Sequence, residues 1–301
     1  TQFASSAASD VYKRQIGYYL KTTSITIALL ISISACEETP NADQVNNQDV
    51  TPSEVEESPP ATEVNTVTLA GYLPLASSDH QQIHHKYFSL AYSEAHEQPT
   101  WVAYTITHKQ SNNDRVSRKS NFTLDHAVTT RSAEEADYDA SGYDKGHIVP
   151  ADNMRFNQTA QNECFFMSNV CPQDPSFNRG KWKALENQVR TWVDKEKVLI
   201  VVAGPVLEDG LPTIGENEVA IPNHFYKIIF DHREPEVKVL AFLMPNEKCD
   251  GELVSYAVSV DSIETLTGID FFPQLENVLE ESLESSIAVS YTHLRAHETR
   301  R

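Results

Sequence analysis

The stretch spanning residues 141–186 constrains this chain more than any other part of its sequence. It contains four polar motifs separated by glycine and proline, in the order DKGH at 144–147, PAD at 150–152, SNVCPQ at 168–173 and NRGKWKALE at 178–186. Glycine and proline favour turns and close backbone approach, so these polar groups can converge. Together they offer a base for water, a neutral oxygen ligand for a hard cation and positive charge for phosphate. This combination indicates metal-assisted hydrolysis of a phosphodiester.

The rest of the chain shows a mixture of strand and helix patterns. Runs rich in β-branched and aromatic residues predict strands at 101–107, 197–203, 225–231 and 237–244. Apolar residues at helical spacing predict one long helix over 178–195, and a glycine ends a second, short one at 262–268. Because strands and helices do not alternate regularly, the predicted fold class is α+β.

The ordered motifs resemble those of the DNA/RNA non-specific endonucleases, also called ββα-metal or His-Me finger nucleases. The family pattern is D-R-G-H, then P-A, S-N-x-x-P-Q and N-x-G-x-W-x-x-L-E, and this chain departs from it only at the second residue of the first motif. Further similar blocks extend the resemblance from about residue 70 to about residue 275; they lie at 101–104, 204–205, 221–227 and 267–272. The resemblance implies a ββα-metal finger nuclease whose central, mostly antiparallel sheet is flanked by helices.

The resemblance also implies roles for the polar residues. His147 is expected to be the general base, since a neutral imidazole can take a proton from water, although an isolated histidine is more often structural. Asn178 is the expected ligand of Mg²⁺ (or Mn²⁺), which keeps most of its waters and needs few protein oxygens; alternatively it is a helix N-cap. Glu186 is expected to accept a hydrogen bond from metal-bound water. Its alternative is a salt bridge with Lys183 or Arg190.

Other positions are expected to support the same chemistry. Asn169 matches the second asparagine of the family pattern and is expected to orient the site. Arg118 resembles an upstream arginine that contacts phosphate, with Lys119 as the alternative. Asp144 is expected to fix the loop or an arginine. Lys145 is the departure from the family pattern. Lysine keeps the positive charge of arginine but cannot donate two parallel hydrogen bonds to phosphate, which puts the rate of hydrolysis in question.

The two ends of the chain do not match the rest of it. Residues 1–15 and 289–301 are expected to be non-native sequence, the alternative being genuine basic tails. Residues 16–36 have the features of a lipoprotein-type signal peptide: a basic residue, a short apolar core and the sequence ISAC, which resembles a lipobox. An ordinary signal peptide with an incidental cysteine is the alternative.

Residues 37–66 predict an acidic disordered linker, because they contain eight acids, no Lys or Arg and few large apolar groups. The nuclease-like domain is then expected over 67–280. Together these features predict an exported lipoprotein that faces the periplasm or the extracellular space and contacts the membrane through a lipid on Cys36. The residue after Cys36 is not aspartate, which resembles the outer-membrane sorting pattern and so implies the outer membrane.

The formal net charge of −19 is unusual for a chain that binds nucleic acid, since phosphate binding relies on cations. Basic residues are nevertheless concentrated before and within the motifs: Arg115, Arg118, Lys119, Lys145, Arg155, Arg179, Lys181, Lys183 and Arg190. A basic cleft on an acidic body explains this distribution, and a mixed solvated surface is the alternative.

Three cysteines remain once Cys36 is assigned to the lipid: Cys164, Cys171 and Cys249. In an oxidising compartment we expect one disulfide and one buried thiol, with the pairing left open.

The resemblance implies a metal-dependent, sugar-nonspecific endonuclease that hydrolyses DNA and RNA to 5′-phosphate products. The alternative is a non-catalytic surface module that binds nucleic acid and retains the nuclease fold. The acidic charge and Lys145 favour that alternative, whereas the intact His147, Asn178 and Glu186 oppose it. A narrower phosphodiesterase acting on small or single-stranded substrates is a third hypothesis.

Overall fold

The computed structural model describes residues 69–75, 77–233 and 237–286. The strands of this part of the chain are β1 Gln81–His84, β2 Phe88–Ser93, β3 Gln98–Thr107, β4 Asp144–His147, β5 Val170–Gln173, β6 Val198–Pro205, β7 Thr213–Ile214, β8 Val219–Ala220, β9 His224–Asp231, β10 Lys238–Pro245 and β11 Ala257–Val258. The α-helices are α1 His108–Ser111, α2 Gln158–Glu163, α3 Lys183–Glu196, α4 Val260–Thr267 and α5 Asn277–Glu284. Short 3₁₀ turns lie at Leu69–Tyr72, Glu135–Tyr138, Met167–Asn169 and Leu253–Tyr256.

A seven-stranded sheet with the order β1-β2-β3-β6-β9-β10-β11 forms the centre of the fold, and every pairing in it is antiparallel. The four strands predicted from the sequence are β3, β6, β9 and β10, which form its middle. Two small two-stranded sheets, β4-β5 and β7-β8, lie outside it. The α+β fold class with a mostly antiparallel sheet is therefore confirmed.

The central sheet is buried on both faces. Along β9, Phe225 and Ile229 belong to a core shared with Leu185 of α3, whereas Ile228 belongs to a core shared with Ile263 of α4. Because side chains alternate between the faces of a strand, the two helices cover opposite sides of the sheet. Burial of both faces explains why these strands are long apolar runs in the sequence, the pattern from which they were predicted.

The β4-β5 pair and α3 form a ββα unit on one face of the sheet. In the pair, Asp144 lies opposite Gln173 and His147 opposite Val170. A π-helical segment, Phe177–Trp182, then leads into α3. The prediction of one regular helix from residue 178 is therefore wrong at its start, because Gly180 adopts non-helical torsions (φ −100°, ψ −107°) that separate the two segments.

The second predicted helix corresponds to α4. The Ser259 side chain accepts a hydrogen bond from the Ser262 amide at its start. Gly268 ends it in the left-handed conformation (φ 67°), which glycine adopts at little cost. The glycine stop expected from the sequence is thus present.

All three cysteines of the described residues are free, so the expected disulfide is wrong for this structure. Cys164 follows α2, Cys171 lies on β5 and Cys249 follows β10, so each belongs to a different element of the fold. Cys164 and Cys171 are buried in the core, where a thiol packs as a small apolar group.

No α-helix among the described residues is long and apolar enough to span a bilayer. The expected signal peptide at 16–36, including Cys36, the linker at 37–66 and the end segments 1–15 and 289–301 lie outside the described residues.

Candidate active site

An open cleft of about 380 Å³ lies where β4 meets the beginning of α3. The ββα unit explains this position, because β4 carries the DKGH motif and the π-helical segment and α3 carry the NRGKWKALE motif. Of the six residues predicted for the site, five line the cleft: Arg118, Lys145, His147, Asn178 and Glu186. The structure therefore brings together a histidine, an amide, a carboxylate and two cations.

His147 ends β4 with its ring between two aromatic side chains. The ring centroids of Phe122 and Phe165 lie 5.0 and 4.6 Å from that of His147. The Arg118 guanidinium lies over the Phe165 ring, 5.5 Å from its centroid. Burial, with the nearby Arg118 charge, lowers the pKa of His147 to about 3. The imidazole is therefore neutral at neutral pH, the form that can accept a proton.

The Nε2 atom of His147 is buried and has no hydrogen-bond partner among the described residues. A buried polar atom without a partner is costly and uncommon in folded proteins. Such atoms occur where a ligand or a reacting group completes the hydrogen bonding. This observation separates His147 from a structural histidine whose two ring nitrogens are satisfied.

Asn178 is held in one orientation by Asp144. Its Nδ2 donates to Asp144 Oδ2 at 2.9 Å. Because an ionised carboxylate only accepts hydrogen bonds, the amide nitrogen must face Asp144 and the amide oxygen is left for another partner. A neutral oxygen beside a cleft carboxylate fits Mg²⁺, which favours hard oxygen ligands. Asn178 is not a helix N-cap: the Asp174 side chain accepts the backbone amides at the start of the segment.

Asp144 is engaged by the protein itself. Its two carboxylate oxygens accept from Arg179 Nε at 2.8 Å and Arg179 Nη2 at 2.5 Å, in addition to Asn178. Asp144 therefore fixes both the loop amide and an arginine, as expected from the sequence, and its oxygens are occupied by donors rather than free for a metal.

Glu186 lies in the first turn of α3 and borders the cleft. Burial raises its pKa, and the positive charges of Lys227 and Arg190 act in the opposite direction. Because the helix predicted over 178–195 is interrupted at Gly180, Glu186 and Asn178 are not related by two regular helical turns. Both side chains nevertheless face the same cleft.

Lys145 is paired with a carboxylate in this structure. Its Nζ lies 3.0 Å from Glu135 Oε1 and 5.7 Å from the centre of the Phe122 ring. Lys145 lines the cleft, but a ligand that binds its ammonium group there must compete with the Glu135 carboxylate. The sequence did not single out Glu135, which lies in a separate 3₁₀ turn.

Asn169 lies beneath the site and does not line the cleft. It is fully buried, and its Oδ1 accepts from the Val149 amide at 2.8 Å. Its Nδ2 donates to the carbonyls of Val149 (3.2 Å) and Cys164 (2.8 Å). These contacts fix the backbone just after β4, so Asn169 positions His147 indirectly.

The sequence reasoning did not assign a role to Lys227. This lysine interrupts the apolar pattern of β9 at a position that faces the core, between Phe225 and Ile229. A charged residue at a core-facing position of a central strand is rare. This position was the sequence signal that could have identified Lys227 as a functional residue.

A second group of carboxylates lies away from the cleft. Oxygens of Asp261, Glu264 and Glu284 lie within 4.8 Å of one another, on α4 and α5. None of these residues lines the cleft.

The β4-β5 pair followed by α3, with a histidine at the strand end and an asparagine before the helix, defines a nuclease of the ββα-metal class. The family model for DNA/RNA non-specific endonucleases matches residues 70–278 of the chain. The chain therefore belongs to the DNA/RNA non-specific endonuclease family.

Named relatives agree with this assignment. The chain is 33% identical over 205 residues to the mitochondrial nuclease EXOG of Mus musculus, covering 62% of this chain and 56% of that protein. It is 32% identical over 189 residues to mitochondrial endonuclease G of Homo sapiens, covering 58% of this chain and 64% of that one. The match therefore spans less than two thirds of either relative.

A solved structure shows the same fold. The crystal structure of an EndoG/EndoGI complex, described as showing a mechanism of EndoG inhibition, contains a chain that matches with a TM-score of 0.64 and 30% sequence identity. The match covers 69% of this chain and 91% of that one.

Proposed function

We propose that this chain is a metal-dependent, sugar-nonspecific endonuclease that hydrolyses phosphodiester bonds of DNA and RNA and leaves 5′-phosphate ends. The observation that carries the proposal is the neutral His147, whose Nε2 has no hydrogen-bond partner within the described part of the chain and which lines a cleft together with Asn178 and Glu186. A base, a neutral oxygen ligand and a carboxylate at one opening are the groups that hydrolysis of a phosphodiester requires.

In this proposal Asn178 Oδ1 would hold Mg²⁺ or Mn²⁺. When bound, the ion supplies charge stabilisation at the phosphate and the leaving oxygen. Asp144 contributes by holding the Asn178 amide in the orientation that presents its oxygen. Glu186 accepts a hydrogen bond from water at the site and so orients it.

His147 takes the proton of the attacking water. Its low pKa in the free protein keeps the acceptor nitrogen available, and a substrate phosphate beside it would raise that pKa toward the range suited to a general base. Arg118 and Lys145 neutralise the charge that develops on the phosphate. For Lys145, this requires phosphate to displace Glu135.

A second candidate function is binding of nucleic acid without hydrolysis. The ion pair between Lys145 and Glu135 favours it, because it neutralises a cleft cation at the position where the family has arginine. The alternative predicts that the chain retains nucleic acid but cleaves none of it.

We further propose that the chain is exported and anchored to the outer membrane through a lipid on Cys36. The support is the sequence alone: the ISAC pattern at 33–36 and the acidic segment at 37–66 that follows it. An acidic linker of this kind would hold the folded part away from an anionic surface.

The decisive experiment incubates the purified chain with plasmid DNA and with RNA, with and without EDTA. We expect cleavage of both that EDTA abolishes, and His147→Ala should lower the rate by about 10²–10⁴-fold. His108→Ala, at an exposed site on α1, is the matched control and should cleave like wild type. Binding without cleavage by the wild type would support the alternative, and EDTA-resistant cleavage would contradict metal dependence.

A further inference from the structure

A lysine is buried behind the cleft. Lys227 lies on β9, near the middle of the central sheet, and none of its surface is exposed. Its neighbours across the sheet are Ala203 on β6 and Phe242 on β10. Its Nζ has no hydrogen-bond partner among the described residues.

Burying an ammonium group is expensive unless a compensating partner is present. Burial lowers the pKa of Lys227, and the Glu186 charge opposes that shift. The Trp182 ring provides the other compensation, because Nζ lies 4.1 Å from its centroid, within the range of a cation–π contact. Two groups therefore compensate the buried charge of Lys227: the Trp182 ring and the Glu186 carboxylate.

The same arrangement connects Lys227 to the cleft. Trp182 is the residue immediately before α3 and has helical torsions (φ −60°, ψ −49°). Glu186 follows it by four residues, so the two side chains lie on the same side of the helix, one turn apart. An ammonium group over the Trp182 ring therefore lies behind Glu186, on the sheet side, while Glu186 borders the cleft.

We propose that Lys227 is a positioning residue: its positive charge, beneath the cleft, attracts the Glu186 carboxylate and holds it in place. This inference rests on the proposed function and deepens it. Lys227 does not line the cleft and touches no reacting atom, so it acts through Glu186.

Other charges also act on Glu186. Arg190 and Arg118 attract the carboxylate, and Asp152 repels it. Arg190 is held by Asn153, through a 2.8 Å bond from Nη1 to Oδ1, and Arg118 is exposed on the cleft rim. Lys227 is the charge that approaches from the sheet, where no water can screen it.

A purely structural role makes the same prediction about stability but a different one about activity. Replacing a buried ion by an apolar side chain of similar volume is often neutral or stabilising. Lys227→Met keeps the stem and removes the charge. If Lys227 served only to fill space, this variant would keep full activity.

The test compares wild type, Lys227→Met and Lys227→Arg in the full chain. We expect Lys227→Met to keep or raise the melting temperature while kcat falls about 10–100-fold, the usual scale for a partner of a group at a metal site. KM for DNA should change less than kcat, because Lys227 does not reach the substrate. Lys227→Arg, which retains the charge, should recover part of the loss.

The matched control is Ile228→Val, the next residue on β9, whose side chain faces the opposite core. It should lower stability slightly and leave kcat unchanged. If Lys227→Met does not fold, Lys227→Gln replaces it, since this variant also removes the charge but keeps a polar end.

A measurement independent of cleavage separates this inference from the proposed function. With ¹³C-labelled glutamate, and Glu186→Gln to assign the signal, NMR follows the titration of the Glu186 carboxyl. Removal of Lys227 should move that titration to higher pH, because a neighbouring positive charge is lost. An inactive wild type with this shift refutes the nuclease proposal only. An active Lys227→Met variant with wild-type kcat and an unshifted Glu186 titration overturns the role of Lys227.

Discussion

Replacing Gly146 by alanine should damage the site through packing alone. Gly146 lies on β4 between Lys145 and His147. A Cβ atom at this position would lie 2.3 Å from both Cδ and Oε1 of Gln173. Contacts this short are repulsive, so either the Gln173 side chain or β4 must move.

The cost depends on whether Gln173 can move away. Gln173 is fully buried on β5, the strand paired with β4, so its side chain has no route to solvent. Overpacking of a buried site typically costs about 1–3 kcal/mol. For a domain of this size each kcal/mol lowers the melting temperature by about 2–4 °C, so Gly146→Ala should lower it by roughly 2–12 °C. Displacement of β4 should also reduce cleavage, because His147 is the next residue.

Thermal unfolding by circular dichroism and cleavage of plasmid DNA measure the two effects. Gly71→Ala is the control, since no heavy atom lies within 4 Å of a Cβ there. In the double variant Gly146→Ala with Gln173→Ala, the clash is removed, so its loss of stability should be smaller than the sum of the single losses. If Gly146→Ala melts and cleaves like Gly71→Ala, the packing argument is refuted.

Three further predictions test separate parts of the reasoning. Lys145→Ala should lower kcat/KM by about 10²–10³-fold, whereas Lys145→Arg should keep or raise it; steady-state rates on one DNA substrate decide, and a wild-type rate for the alanine variant would exclude the phosphate role. Burial and the nearby acids, Glu264 foremost, raise the pKa of Glu284 to about 8, so the folded state keeps a proton that the unfolded chain loses above about pH 4.5. Stability should therefore fall as pH rises from about 5 to about 8, and Glu284→Gln should remove that fall in urea titrations; an identical pH dependence in both proteins would contradict this. Cys36→Ser should release the protein from membranes in fractionation with a lipid label, and an unlabelled wild type in the soluble fraction would refute the lipid anchor.

The sequence was sufficient for the parts of the fold that depend on local pattern. The middle strands of the sheet were predictable because each is buried on both faces and is therefore a continuous run of β-branched and aromatic residues. Most of the candidate site was predictable because a ββα unit is contiguous in sequence. His147, Asn178 and Glu186 come from neighbouring elements of one segment, so their order along the chain already implies proximity.

Features that depend on torsions or on distant partners were not predictable. The apolar residues that predicted the helix begin at Trp182, so their spacing carried no information about the backbone at Gly180, which leaves the helix. The pairing of Lys145 with Glu135 arises because a separate turn packs beside β4. Likewise the position of Lys227 behind Glu186 requires knowing that β9 and α3 pack face to face.

These pairings bear on how an acidic chain could bind nucleic acid. Within the described residues, two cleft cations already have carboxylate partners: Lys145 pairs with Glu135, and Arg179 with Asp144. Arg118 is exposed and has no carboxylate partner there. A phosphate that binds Lys145 therefore displaces a protein carboxylate instead of a dissolved anion. The salt dependence of binding reports the net release of mobile ions, chiefly cations from the nucleic acid. Because the freed Glu135 carboxylate attracts a cation in return, the slope should be shallower than the number of cleft cations implies. The carboxylates act as built-in counterions, and the net negative charge of the chain does not by itself exclude a cleft that exchanges them for phosphate.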